Sequence, residues 1–217
     1  MADNDSRAGV RYATPEIVRY LDALHAPHDE GLARAFDAPV RANMPAIQVG
    51  VSEGKLLELL VRLVGARRVV EVGTLAGYSA IRIARALAPG GTLWSIEFDA
   101  RHADVARGAI EAAGLSDRVK VCVGAGVDVL PQLAAEGPFD VVFVDADKEN
   151  YDAYGRWAAT HLRPGGLLLG DNAYLFGELL DDTPRGAAMR RFHEEARASF
   201  DTVCVPTPDG LLVGIKR

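Results

Sequence analysis

The sequence predicts an α/β fold: a seven-stranded, mostly parallel sheet with helices on both faces and a C-terminal antiparallel hairpin. Three observations predict it. From residue 68 onward, apolar β-branched runs alternate with stretches of helical period, the pattern of parallel strands buried under helices. Four of the first five runs close near an acid, at Glu71, Glu97, Asp145 and Asp171, and open α/β sheets bind ligands beyond that edge. The last two runs, 200–205 and 210–216, are joined only by Pro206-Thr207-Pro208-Asp209-Gly210. So short a link makes a hairpin, with one of the pair antiparallel.

The elements follow in order. Residues 1–11 read as a flexible polar tail, and 14–45 as a helical cap. Thr14-Pro15-Glu16 has a capping hydroxyl and then proline at the first helical position, and Ile17, Val18, Leu21 and Leu24 recur at helical spacing. His25 and His28 read as a helix end facing water. A second helix spans 29–42, with Leu32, Ala35 and Phe36 on one face, and an apolar helix follows Ser52-Glu53-Gly54-Lys55. Strands are then expected over 69–72, 92–97, 119–123, 139–145 and 166–171, with helices over 78–88, 100–113, 126–136 and 151–162. The result is a Rossmann-like sheet, finished by the hairpin.

The 217 residues, 49% of them apolar, suffice for one α/β domain with a filled core. A net charge of −6 argues against a nucleic-acid partner, which would require a basic face. No run approaches the roughly 20 apolar residues of a membrane span. The start, Met1-Ala2-Asp3-Asn4-Asp5-Ser6, lacks a basic and then apolar leader, so a cytoplasmic address is expected. Cys122 and Cys204 lie in apolar runs and read as small reduced hydrophobes.

The centre of the chain is Val69-Val70-Glu71-Val72-Gly73-Thr74-Leu75-Ala76-Gly77-Tyr78-Ser79: a strand, a glycine loop and a helix start. Its Gly-x-x-x-Gly spacing is not the Gly-x-Gly-x-x-Gly that cradles a dinucleotide pyrophosphate, which speaks against a nicotinamide oxidoreductase. Glu97 stands where a nucleotide site places the acid that accepts both ribose hydroxyls. Asp145, Asp171 and Asn172 are hard oxygen donors of the kind Mg²⁺ prefers. Zinc is disfavoured, because no Cys/His ligand spacing accompanies them.

Three segments, 70–79, Phe143-Val144-Asp145-Ala146-Asp147-Lys148-Glu149-Asn150-Tyr151, and Gly170-Asp171-Asn172, strongly resemble the cation-dependent O-methyltransferases, a family that includes caffeoyl-CoA and catechol O-methyltransferases. The similarity runs in order from about Ile47 to the hairpin. It implies S-adenosylmethionine over the Gly73–Gly77 loop, with Glu97 on the ribose. Glu71, Gly73, Thr74 and Ser79 would hold the methionine end beside Val49, and Ala125 and Gly126 would flank the adenine. Asp147 and Asp145 would also reach the cofactor. Asp145, Asp171 and Asn172 match the metal ligands and Lys148 the general base. Many plant-type members have Asp where this chain has Glu97, and both offer two oxygens.

The implied reaction is Mg²⁺-dependent methyl transfer to one hydroxyl of a catechol. Lys148 would take the proton, because a positive charge beside an amine favours its neutral form. Tyr174 to Phe176 read as an acceptor-side wall, and the arginines at 185, 190 and 191 as a solvated helix face. The alternatives are a caffeoyl-CoA-like thioester substrate, with Arg34 and Arg41 as its basic contacts, or a non-catalytic S-adenosylmethionine-binding module. The resemblance also implies a homodimer formed through the N-terminal helices.

Overall fold

The computed structural model describes residues 3–7 and 12–217. The tail expected over 1–11 holds a one-turn helix, α1 (Asn4–Arg7), and its remainder lies outside the described residues except Asp3. Next come α2 (Pro15–His25), α3 (Glu30–Arg41) and α4 (Val51–Leu63). The sheet region then runs β1 (Arg68–Val72), α5 (Tyr78–Ala86), β2 (Thr92–Glu97), α6 (Ala100–Ala112), β3 (Val119–Val123), α7 (Gly126–Leu133), β4 (Phe139–Val144), α8 (Tyr151–His161) and β5 (Leu162–Gly170). It ends with α9 (Pro184–Ser199), β6 (Phe200–Val205) and β7 (Leu211–Lys216).

The seven strands form one sheet in the order β3-β2-β1-β4-β5-β7-β6. β1 lies between β2 and β4, parallel to both. β7 is antiparallel to β5 and to β6, so the hairpin inserts its second strand beside the parallel set. Each face of the sheet carries its own core. On one, Val69, Val141 and Leu169 pack under Leu57, Ile81, Ile83 and Ile110. On the other, Val70, Val142 and Leu168 pack under Leu130, Tyr154, Met189 and Phe192. Alternation along each strand sends neighbouring residues to opposite cores, which is why both faces must be apolar. Each fully buried Val or Leu contributes about 1.5–3 kcal/mol.

Where sequence and structure differ, a local cause is visible. β5 starts at Leu162, four residues before the expected 166, because the irregular register beside β4 carries the strand through Pro164-Gly165. The helix expected to reach 136 ends at Leu133 and tightens into a 3-10 turn, Ala134–Glu136. The sequence marks helix α9 only as an arginine face, yet its start repeats the grammar of α2, with Thr183 Oγ1 accepting from Gly186 N at 3.0 Å and proline at the first position. Two of its arginines are tied to neighbouring elements: Arg191 donates to Asp152, and Arg190 to the carbonyls of Leu179 and Asp181.

His28 does not face water. It is half-buried, with Nε2 at 2.8 Å from Tyr78 Oη, and burial together with Arg82 holds its pKa below the usual imidazole value. Arg82 also pairs with Glu58, buried in α4. Burial opposes the ionisation of Glu58, but Lys55 and Arg82 outweigh it. The two cysteines are free and half-buried.

Candidate active site

β1 and β4 are neighbours, yet the chain leaves β1 toward β2 on one side and β4 toward β5 on the other. This is the reversal point of the sheet, where a crevice opens beyond the strand ends. Asp145 N donates to Val72 O at 2.8 Å, which locks the two loops together. Gly73, at φ 99°, follows β1 directly; a β-carbon there would fall 1.9 Å from the carbonyl oxygen of Asp145. Only glycine fits. Gly77, at φ 87°, opens α5. Above these loops lies a cavity of about 690 Å³.

Most of the residues singled out from sequence line that cavity: Val49, Gly73, Thr74, Ser79, Glu97, Ala125, Gly126, Asp145, Asp147, Lys148 and Asn172. Glu97 is set by its own loops. Its Oε2 accepts from Thr74 N at 3.2 Å and Leu75 N at 2.8 Å, and its Oε1 from Asp99 N at 3.0 Å. Oε2 thus accepts two N–H bonds and Oε1 one, which leaves Oε1 the more open to a ligand. Asp147 is fixed by Tyr154 Oη at 2.5 Å and by the Asn150 amide. Ala125 caps α7, and Gly126 is its first residue.

Two of the predicted residues do not face the cavity. Glu71 is completely buried behind it. Its Oε2 accepts from Ser95 Oγ, which pairs in turn with Thr74 Oγ1 at 2.6 Å, while its Oε1 has no hydrogen-bond partner among the described residues. Burial pushes Glu71 up to about 8, with the charges of Asp145 and Glu97 adding to it. Asp171 also lies back from the cavity wall, 7% exposed.

The register of β4 and β5 pairs Val144 with Gly170, so Asp145 and Asp171 leave adjacent strand ends side by side. Asn172 follows at φ 52°, a left-handed turn that Asn tolerates better than most residues. Burial, and next the charge of Asp145, push Asp171 up to about 7. Lys148 Nζ lies 3.2 Å from Asp145 Oδ1 and 2.8 Å from Tyr151 Oη. Among the described residues, no group of three or more His, Cys, Asp or Glu side chains gathers as a metal site; the set expected from sequence has two carboxylates and the amide of Asn172, which borders the cavity. A crowded carboxylate pair with oxygen-only donors fits a hard divalent cation, which would relieve the repulsion.

Tyr151 was not singled out for a role from sequence. Its hydroxyl meets the carbonyls of Val144 and Asp171 at 3.2 and 3.0 Å as well as Lys148. Burial and the surrounding carboxylates keep it strongly protonated. It ties the lysine to both acid-bearing strand ends. Its place three residues after Lys148, one helical turn on, was the available signal.

Residues 25–216 match the family model described as O-methyltransferase. The chain belongs to the O-methyltransferase family. It is 43% identical over 182 residues to the catechol O-methyltransferase of Niastella koreensis, covering 82% of each chain. It is 44% identical over 179 residues to the catechol O-methyltransferase of Mycobacterium tuberculosis, covering 81% of each. Among solved structures it is similar to the O-methyltransferase from Bacillus cereus in complex with SAH, with TM-score 0.87 and 38% identity over 93% of this chain and 97% of that one. In this O-methyltransferase the glycine loop and the acid-bearing strand ends therefore form the two halves of one cavity. No helix among the described residues of the enzyme is long and apolar enough to cross a membrane.

Proposed function

We propose that the enzyme transfers a methyl group from S-adenosylmethionine to one hydroxyl of a catechol-type small molecule, with Mg²⁺ or another divalent cation held by Asp145, Asp171 and Asn172. The methyl donor is supported by the solved relative bound to SAH, its demethylated form, and the acceptor class by the names of the two relatives at 43 and 44% identity. The observation that carries the reading is one cavity lined by the Gly73 loop together with Asp145, Lys148 and Asn172, with Asp171 set back beside them.

When bound, the donor supplies a sulfonium methyl and the cation a positive charge that favours an ionised hydroxyl. The rest falls to the chain. Glu97 accepts the ribose hydroxyls, while Gly73, Thr74, Ser79 and Val49 border the methionine end. Glu71 supports that wall from behind through Ser95 and Thr74. Ala125 and Gly126 flank the base. Lys148 receives the acceptor's proton at Nζ, oriented by Asp145 and Tyr151. Phe176, on the cavity wall, closes the acceptor side. Alignment of the two reactants supplies much of the acceleration.

The 1–217 chain is read as one domain, with its N-terminal helices as a cap. We also propose a homodimer through α2. That helix buries none of its side chains and exposes Ile17, Val18, Tyr20, Leu21 and Leu24, an apolar face that a partner copy would cover. Light scattering of the purified chain tests this. The acceptor reading is tested by a labelled methyl-transfer screen over catechols, simple phenols and catechol thioesters with Mg²⁺. Catechols should be labelled and phenols not; labelling of thioesters alone contradicts the free-catechol reading.

A further inference from the structure

We propose that Asp209, in the turn between β6 and β7, is a positioning residue for the acceptor side of the active site: its carboxylate holds Phe176 over the cavity mouth. The inference rests on the reading of Phe176 as acceptor wall. Phe176 lines the cavity although the residue is 61% exposed, so its own packing does not anchor it. Its backbone stands at φ 55°, ψ 28°, a left-handed conformation that a bulky L-residue disfavours. Leu175 before it is at φ 51°, and Asn172, at the start of the same loop, at φ 52°. A segment strained at three non-glycine positions persists only where its surroundings over-determine it.

Those surroundings come from the hairpin turn. Asp209 Oδ1 accepts from Phe176 N at 2.9 Å. The Asp209 carbonyl accepts from Tyr174 N, and the Gly210 carbonyl from Ala173 N, each at 2.9 Å. The Tyr174 ring lies against Gly210 so closely that a β-carbon there would be 2.7 Å from it. Only the bond to Phe176 depends on the side chain at 209; any residue supplies the two carbonyls. Asp209 Oδ2 is buried with no hydrogen-bond partner among the described residues. Leaving a carboxylate oxygen so is costly. The turn does not call for it, since Gly210 N already closes on Thr207 O at 3.2 Å. The carboxylate's visible role is its grip on Phe176, on the loop that begins at Asn172.

The test combines Asp209→Ala, Asp209→Asn and Phe176→Ala in the full-length enzyme, with catechol and Mg²⁺. Asp209→Ala is expected to raise KM for catechol about tenfold, the effect of releasing one ordered aromatic contact, with kcat and donor affinity unchanged. Asp209→Asn keeps an acceptor oxygen and should restore KM. On the Phe176→Ala background, Asp209→Ala should add nothing. Independently of any acceptor, the Phe176 amide should exchange hydrogen faster in Asp209→Ala than in the parent or in Asp209→Asn. Unchanged exchange, additive KM effects, or a loss shared by donor affinity would each overturn the proposal. Faster exchange in a chain that labels no catechol would support the grip on Phe176 and contradict the acceptor reading alone.

Discussion

The carbonyl oxygen of Asp145 occupies the space where a side chain on residue 73 would begin, 1.9 Å from the position of its β-carbon. The glycine loop and the acid-bearing loop therefore meet backbone to backbone, and the distance between them is set by the absence of a side chain on Gly73. Gly73→Ala meets both this clash and the cost of φ 99° for an L-residue. It is expected to destabilise the fold by about 2–4 kcal/mol, chiefly through displaced backbone, and to lower methyl transfer more than Gly65→Ala, whose β-carbon meets nothing within 4 Å. Urea melts and turnover of the two variants check this.

Glu97 is held by three backbone N–H groups, so its carboxylate is fixed before any ligand arrives. Glu97→Ala removes the proposed ribose acceptor and unties the loop at Thr74 and Leu75. Donor affinity by calorimetry should fall about 10- to 100-fold, the loss expected for charge-assisted hydrogen bonds. Unaltered affinity would move the ribose elsewhere in the cavity.

Lys148 reaches Asp145 and Tyr151 but is itself 9% exposed. Lys148→Ala is expected to lower kcat by about 10²–10⁴, the range for loss of a general base, with donor affinity retained. Lys148→Arg should not rescue it, because a guanidinium does not give up its proton. Near-normal turnover in either variant would remove Lys148 from the proton transfer.

Glu71 gives a pH dependence whose sign is fixed. Its carboxyl ordinarily titrates near 4.5, and burial raises it to about 8 in the folded protein. Between those values the folded chain keeps a proton that the unfolded chain releases, so this contribution is complete below about pH 4.5 and is lost as pH rises through 8. In chelator, stability should therefore decline from pH 5 to 8. Glu71→Gln, which cannot titrate, should flatten the decline by up to about 1.4 kcal/mol per pH unit. Asp171, raised to about 7, leaves a residual slope. Denaturant melts across this range check it, and equal slopes in the two proteins would mean that Glu71 titrates normally.

The sheet was legible because parallel strands buried on both faces read as nearly unbroken apolar runs, as at Val69-Val70 and Phe143-Val144, and because each closing acid falls at one edge. The glycine loop was legible because its turn is set by residues adjacent in sequence. What was missed depends on distant partners. His28 and Tyr78, or Glu58 and Arg82, are joined by folding alone, and nothing local marks His28 as buried. Helix α9 was obscured by its charges, since Arg185, Arg190, Arg191, Glu194 and Glu195 dilute the stripe formed by Met189, Phe192 and Ala196. The burial of Glu71 was equally hidden, because an acid at a strand end reads as a ligand contact whether it faces the cavity or the core.

The most direct measurement of the central claim, a cation held between the ends of β4 and β5 beside the donor, is methyl transfer to catechol with Mg²⁺ and with excess chelator, paired with calorimetric donor binding under the same two conditions. Turnover is expected to vanish in chelator, to return on adding Mg²⁺, and to be lost in Asp171→Ala, while donor binding persists throughout. Full turnover in chelator would contradict it.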